Sequence, residues 1–198
     1  MEKQRQKNFP TELDALADFL AMLDDLKIVY ALGGSMAASV YGKVRFTEDA
    51  DITVEPFPSM ADALVERLSP GFYVSRQALG QALALRSSFN VIHIASAFKI
   101  DVFVRDESLF QKQLLLRRRQ VSVPGLSRAV WAVCPENILL LKLNWYKQAG
   151  CVSEKQWNDI LGLIDIQKDQ LDLTELHRWA DELMVRDLLE KAWRQTQS

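Results

Sequence analysis

The amino-acid sequence predicts a mixed α/β (α+β) fold, and three observations carry this prediction. Segments rich in β-branched and aromatic residues recur between segments with helical periodicity. Segments 89–94 and 98–104 are joined by a short link that favours a hairpin, and the composition becomes helical from Pro135 onward. We therefore expect a mixed β-sheet flanked by helices, followed by a C-terminal helical bundle.

Length and composition limit the functions to consider. The chain has 198 residues, 48% hydrophobic and 25% charged, with a net charge of −2. This length suits one core with a helical appendage. Because the chain has no overall basic charge, any nucleic-acid contact must come from a local patch. No run approaches 18 apolar residues, and the polar start MEKQRQKN lacks the apolar part of an export signal. We expect a soluble cytoplasmic protein without membrane contact.

The first predicted element is an amphipathic helix from Thr11 to Leu26. Thr11 is the expected N-cap, Asp14 completes a capping box, and leucines at intervals of three or four residues form an apolar stripe. We expect this helix to cover the sheet and to take no part in chemistry.

A strand over residues 27–32 leads into the glycine pair Gly33-Gly34, where the backbone can turn tightly. Ser35 is the expected N-cap of a short helix, residues 36–41, which Gly42 ends. The free amides and the positive dipole end of such a helix favour phosphate binding. The stretch therefore predicts a phosphate site.

Asp49 and Asp51 lie in an acidic-apolar alternation, residues 49–54, typical of a second strand. Residues two apart on a strand point to one face, roughly 7 Å apart, where two unit charges repel by roughly 2–3 kcal/mol at an effective dielectric near 20. A divalent cation would reverse this cost, and Mg²⁺ prefers one or two carboxylates plus substrate phosphates. The alternative is that both aspartates face water at a sheet edge.

Asp101 lies in the middle of the strongly apolar strand predicted over residues 98–104. Aspartate is depleted in strands and is rarely buried unpaired. Asp101 is therefore either exposed at an edge or in contact with a cation. Between the two acidic strands, we expect helices over 59–68 and 75–85 and a short strand over 72–74.

These residues resemble the polymerase-β-like nucleotidyltransferase superfamily, in which a glycine turn after a strand, a short helix and an Asp-x-Asp pair form the signature. Gly33, Gly34 and Ser35 match the turn, and Asp49 and Asp51 match the acidic pair. The preceding segment 45–48, Arg-Phe-Thr-Glu, resembles the R-x-T-x-D-x-D variant of bacterial abortive-infection-type (AbiEii-like) nucleotidyltransferases and their uncharacterised relatives.

The resemblance implies a nucleotidyltransferase fold and a two-metal Mg²⁺ site. Asp49 and Asp51 would hold both ions, while Asp101, matching the third carboxylate of the superfamily, would share the catalytic ion and help to activate the acceptor hydroxyl. Two metals clamp the attacking and leaving oxygens of a phosphoryl displacement. Gly33, Gly34 and Ser35 would hold the triphosphate of the donor NTP.

The only dense basic run in the sequence lies at 112–119 and ends in three arginines, Arg117, Arg118 and Arg119. Such a run is often a solvated face. The functional alternative is a patch that steers nucleotide phosphates or an RNA backbone, without reading sequence. Segments 121–123 and 130–133 then predict a terminal hairpin or edge pair.

From Pro135 a helix is predicted, with Lys142 inside its apolar face. Lys142 could extend its ammonium into water while its stem packs. The words PENILLLKL, residues 135–143, also resemble the P-E-D-L-I-x-x-K-L of AbiEii-like relatives, whose lysine contacts the triphosphate. By the same resemblance, Asp159 would orient Lys142. Two further amphipathic helices are predicted over 173–183 and 185–193.

We therefore predict a nucleotidyltransferase core over residues 1–133 and a C-terminal helical subdomain over 134–198. The implied activity is a Mg²⁺-dependent transfer of a nucleoside monophosphate from an NTP to a hydroxyl on RNA, protein or a small molecule, with release of pyrophosphate. A toxin with a cognate antitoxin, acting on tRNA through Arg117–Arg119, is one version. The alternative is a non-catalytic nucleotide- or RNA-binding protein that retains the fold.

Overall fold

The computed structural model describes residues 11–42 and 49–197 and contains one mixed sheet there. Its strands occur in the spatial order β3-β4-β5-β2-β1-β7-β6. In chain order they are β1 Tyr30–Leu32, β2 Asp49–Val54, β3 Phe72–Val74, β4 Ser88–His93, β5 Lys99–Val104, β6 Arg119–Val121 and β7 Val130–Ala132.

Helices flank this sheet and dominate the C-terminal third, as the sequence predicts. They are α1 Glu12–Asp25, α2 Gly34–Tyr41, α3 Ala61–Leu68, α4 Arg76–Leu85, α5 Leu109–Leu116, α6 Pro135–Gln148, α7 Glu154–Gln167, α8 Leu173–Glu182 and α9 Arg186–Gln195. The predicted fold class is therefore confirmed.

The strand pairing is both parallel and antiparallel. β4 and β5 form the predicted hairpin, and β6 and β7 form a second one at the sheet edge. β2 runs antiparallel to β1 but parallel to β5, while β7 runs parallel to β1. The parallel pairing of β2 with β5 brings together two strands that are distant in sequence.

Burial alternates along the two central strands β2 and β5. Their buried side chains join the hydrophobic core, to which the apolar stripe of α1 also belongs. The intervening side chains of both strands are only partly buried. The central strands thus present one apolar face to the core and one polar face to a cleft. The buried residues are Ala50, Ile52, Val54, Ile100, Val102 and Val104 on the strands, and Leu16, Phe19, Leu20 and Leu23 on α1.

Several local boundaries differ from the prediction, among them β6, which spans Arg119–Val121 instead of 121–123. β1 begins at Tyr30 rather than at residue 27, because α1 ends at Asp25 and Lys27 takes a left-handed conformation (φ 57°) that ends the helix. Ser35 does not cap α2, since Gly33 is the N-cap and the helix already begins at Gly34. The predicted capping box of Thr11 and Asp14 is present.

The C-terminal helices pack on one another and on the helix that follows the glycine turn. α6 contacts α7 and α8, α7 contacts α9, and both α6 and α7 contact α2. The division into a core and a C-terminal subdomain stays a prediction. Across residues 11–42 and 49–197, no helix is both long and apolar enough to cross a membrane. The Arg-Phe-Thr-Glu segment at 45–48 lies outside the described residues.

Candidate active site

Three aspartates lie on the polar face of the central strands. Asp49 and Asp51 alternate with buried residues on β2, so both side chains leave the same face. On the neighbouring strand, Asp101 lies directly opposite Asp51 in the parallel register. The structure therefore brings the three sequence-predicted acids into two adjacent rows of one sheet.

The glycine turn is built around Asp51. The amide of Gly33 donates a hydrogen bond of 2.7 Å to the carbonyl of Asp51. Gly34, the first residue of α2, has φ +57°, and a Cβ there would overlap the Asp51 carboxylate. The turn therefore requires glycine at this position, because the start of α2 and the carboxylate share the same space.

Asp51 is the acid that the fold constrains most. Burial raises its pKa to about 6, and the negative charges of Asp49 and Asp101 add to this effect. The positive charges of Lys99 and Lys142 act in the opposite direction. The site thus carries an excess of negative charge that favours binding of a cation or a proton.

Lys99 is a site residue that the sequence analysis missed. Its Nζ lies 2.7 Å from Asp101 Oδ2, and the residue lies opposite Asp49 in the pairing of β2 with β5. Strand periodicity could have identified it, because Lys99 precedes Asp101 by two positions and so shares its face.

The donor set fits Mg²⁺ bound together with a nucleotide. Oxygen ligands from one or two carboxylates, completed by substrate phosphates, are what Mg²⁺ prefers in proteins. Among the described residues, no group of three or more His, Cys, Asp or Glu side chains is arranged to hold a metal ion by itself. The acids would hold metal only in combination with phosphate oxygens.

Lys142 enters the site from α6 and is held by α7. It is 7% exposed, and its Nζ lies 2.8 Å from Asp159 Oδ2. The alternative in which the ammonium extends into water is therefore wrong, since α7 covers this part of α6. The predicted contact between Lys142 and Asp159 is present. Ser153 begins α7 by accepting a hydrogen bond from the amide of Gln156.

Asp51, the glycine turn and Lys142 line one cleft of about 370 Å³. Asp49 and Asp101 lie on the same face of β2 and β5 as Asp51. One wall is the polar face of β2 and β5, and the opposite wall is α6, which presents apolar side chains. Trp145 is the most exposed of them, at 54%. The apolar lining residues are Phe103, Val104, Leu114, Ile138, Leu141 and Trp145.

The end of the cleft away from the glycine turn contains charges that compensate one another. Arg105 donates from Nε to Glu55 Oε2 at 2.7 Å and from Nη1 to the carbonyl of Asp106 at 2.9 Å. Arg86 lies 3.8 Å from Glu107. The sequence analysis singled out neither arginine. Because each has an acidic neighbour, this end forms neither a strongly basic nor a strongly acidic surface.

The three consecutive arginines make contacts within the chain. Arg117 lies 3.1 Å from Glu175 on α8, and Arg119 lies 3.5 Å from the buried Glu136 of α6. The guanidinium of Arg118 stacks 4.7 Å from the ring centre of Trp131. The run therefore connects the sheet edge to the helical segment, which accounts for much of its charge without a partner molecule.

Comparison with solved structures identifies the fold. An antigenic nucleotidyltransferase-like protein from Paracoccidioides brasiliensis is similar with a TM-score of 0.55 and 19% identity over 92% of each chain. ANT(2'')-Ia in complex with adenylyl-2''-tobramycin is similar with a TM-score of 0.54 and 16% identity over 94% of this chain and 99% of the other. The lincosamide antibiotic adenylyltransferase LnuA, bound to lincomycin, is similar with a TM-score of 0.53 and 16% identity over 78% of this chain and 96% of the other. The chain has a nucleotidyltransferase-like fold, with α6–α9 as its C-terminal helices.

No family model matches the chain, and no curated protein matches its sequence. At identities of 16–19% the solved structures show the fold alone. The function must therefore be argued from the site.

Proposed function

We propose that this protein is a Mg²⁺-dependent nucleotidyltransferase that moves a nucleoside monophosphate from an NTP to an acceptor hydroxyl. The observation that carries the proposal is that Asp49, Asp51 and Asp101 share one face of β2 and β5, where Asp51 lines a cleft together with the start of α2 and Lys142. Similarity to adenylyltransferase structures supports the same chemistry.

The donor triphosphate would lie against the N-terminus of α2. There the helix amides are free of intrahelical partners and the helix dipole favours negative charge. Gly33, Gly34 and Ser35 all line the cleft at this point. Lys142 would contact a phosphate, with Asp159 fixing its ammonium from the opposite side.

In the reaction, the acceptor oxygen attacks the α-phosphorus of the NTP and forms a new P–O bond. The bond from the α-phosphorus to the bridging oxygen breaks, and pyrophosphate leaves with that electron pair. Asp101 takes the proton of the acceptor hydroxyl on its carboxylate and returns it to solvent. Asp49, Asp51 and Asp101 would hold Mg²⁺ together with the phosphates, and the ion would supply positive charge to offset the charge that develops on the triphosphate.

The cleft favours a small molecule as the acceptor. Its volume is about 370 Å³, its α6 wall is apolar, and the arginines that line it have acidic neighbours. A nucleic-acid acceptor requires an accessible basic surface for its phosphates, whereas Arg117, Arg118 and Arg119 have partners within the chain. The alternative is a toxin with a cognate antitoxin that transfers to tRNA, and an assay with RNA as the acceptor tests it.

The test is a transfer assay with the full chain, Mg²⁺ and each of the four NTPs labelled at the α-phosphate. Lincomycin, tobramycin, total RNA and cell protein serve as separate acceptors. We expect label to appear on a small molecule, and to fall to background in Asp49→Asn and Asp101→Asn. A non-catalytic binding protein would instead bind NTP without transferring label to any acceptor, including extracts of small metabolites.

Lys142→Met should raise the KM for NTP by about tenfold or more, because one charge-assisted phosphate contact is lost. Asp159→Asn should give a smaller increase, since the ammonium remains but loses its charged partner. Steady-state kinetics over a range of NTP concentrations measures both. The matched control is Lys147→Met on the same helix, where Lys147 contacts the carbonyl of Met184 instead. An equal KM in Lys142→Met and the unmodified protein would contradict the assignment.

A further inference from the structure

Lys99 places a positive charge among the three aspartates from within the same sheet. Its Nζ donates to Asp101 Oδ2, and its backbone lies opposite Asp49. A lysine ammonium carries a positive charge at neutral pH. Lys99 is therefore a cation at a position where the carboxylates require one.

A stabilising role in the fold explains this contact poorly. The Lys99 side chain is 43% exposed, and ion pairs at such exposure contribute little to folding. Asp101 is itself unfavourable in a strand. The pair lies on the same face of the sheet as Asp51, which lines the cleft, so its position points to the site rather than to the core.

We propose that Lys99 is an internal counterion that stays ion-paired with Asp101 until metal and nucleotide bind together. The inference rests on the proposed function, because the metal would serve the transfer reaction. By holding an oxygen of Asp101, Lys99 lowers the affinity of the nucleotide-free protein for divalent cations. Metal binding then depends on the nucleotide, whose phosphates supply the missing ligands.

The side chain of Lys99 is able to leave Asp101. Its stem has four flexible methylenes, and the compact ammonium pairs readily with phosphate. A bound triphosphate would offer the ammonium a new anionic partner and would bring Mg²⁺ with it. In one arrangement Lys99 pairs with Asp101, and in the other Asp101 is available to metal. The equilibrium shifts to the second arrangement because the metal-bound nucleotide interacts only with it.

The experiment measures Mn²⁺ binding to the nucleotide-free full-length chain by the electron paramagnetic resonance signal of free Mn²⁺. Lys99→Met keeps the stem but removes the charge, so we expect it to bind Mn²⁺ about tenfold tighter. Lys99→Arg keeps a cation and should bind like the unmodified protein. Lys155→Met, an exposed lysine on α7, is the control for a general change in charge.

Thermal unfolding gives a second readout that needs no activity. In EDTA, Lys99→Met should unfold close to the midpoint of the unmodified protein, because an ion pair at this exposure contributes little to folding. Mn²⁺ should raise its midpoint more than that of the unmodified protein. If Lys99→Met fails to fold, Lys99→Gln takes its place in both measurements.

The outcomes separate this inference from the proposed function. Equal Mn²⁺ affinity in the unmodified protein and Lys99→Met, with NTP transfer intact, would overturn the counterion role alone. Absence of Mn²⁺ binding in every variant, with and without ATP, would overturn both. If Lys99→Arg also bound Mn²⁺ more tightly than the unmodified protein, the counterion role would be overturned, since loss of the positive charge would then not be the cause.

Discussion

Gly34→Ala is expected to abolish nucleotidyl transfer and to destabilise the fold. Alanine at φ +57° costs about 1–2 kcal/mol, because the left-handed conformation brings Cβ close to the backbone. The new methyl group would also overlap the Asp51 carboxylate, so the side chain or the start of α2 must move. A displacement of about 1 Å at a reacting centre lowers rates by about 10²-fold. Transfer kinetics and thermal unfolding measure the two effects.

The chain provides two matched glycine controls. At Gly33 a Cβ would meet its nearest neighbour, the Asp51 carbonyl, at an ordinary 3.6 Å, and φ is −121°. Gly33→Ala should therefore change the unfolding midpoint far less than Gly34→Ala does. Gly80→Ala lies in α4 with nothing within 4 Å of its Cβ, and it should leave transfer unchanged. A stable, active Gly34→Ala protein would show that the turn does not position Asp51.

The fold could be predicted from the sequence where local patterns determine it. Period-two alternation located β2, runs of β-branched and aromatic residues located β4 and β5, and a short link located the hairpin. The capping box of Thr11 located the start of α1. These signals act over a few residues, so one sequence contains them in full.

The pairing of β2 with β5 was not available from local pattern. The two strands are separated by two helices and two further strands, and nothing in either segment specifies its neighbour. The expectation that Asp101 joins Asp49 and Asp51 came from family resemblance. The register that places Asp51 opposite Asp101 is a result of the structure.

Details of the site depended on packing that no pattern encodes. Ser35 was a plausible cap by residue type, but the helix starts earlier because Gly34 takes a conformation open to glycine. The burial of Lys142 depends on α7, which follows in the chain and packs across α6. Arg117 and Arg119 were a charge run in sequence, and their acidic partners lie on α8 and α6.

Asp51→Asn is expected to stop transfer while making the metal-free protein more stable at neutral pH. The folded protein raises the pKa of Asp51 from 3.8 to about 6, so the charged carboxylate is held at a cost. Such a pKa shift corresponds to a free-energy cost of about 3 kcal/mol. We expect Asp51→Asn to raise the free energy of unfolding by roughly 1–2 kcal/mol, because Asp51 is partly exposed. In a chain of this size that raises the unfolding midpoint by about 3–6 °C.

The pH dependence follows from the direction of this shift. Between pH 3.8 and about 6 the folded state binds more protons at Asp51 than the unfolded state does. Stability of the unmodified protein therefore falls as pH rises through this window, and asparagine removes that dependence. The advantage of Asp51→Asn should be complete above pH 7 and should disappear towards pH 4, in unfolding measured with EDTA. Asp169→Asn, which removes an exposed carboxylate on the surface, is the control for the change in net charge.

Addition of Mg²⁺ and a non-hydrolysable NTP analogue should reverse the order of stability. These ligands bind the folded protein and stabilise it by mass action, and they need the Asp51 carboxylate. The unmodified protein would then become the more stable of the two. Such an aspartate lowers the stability of the ligand-free protein and raises stability only when metal and nucleotide are bound. It is retained for function, because the fold alone would favour its loss. If Asp51→Asn were less stable than the unmodified protein in EDTA at pH 8, Asp51 would instead have a structural role.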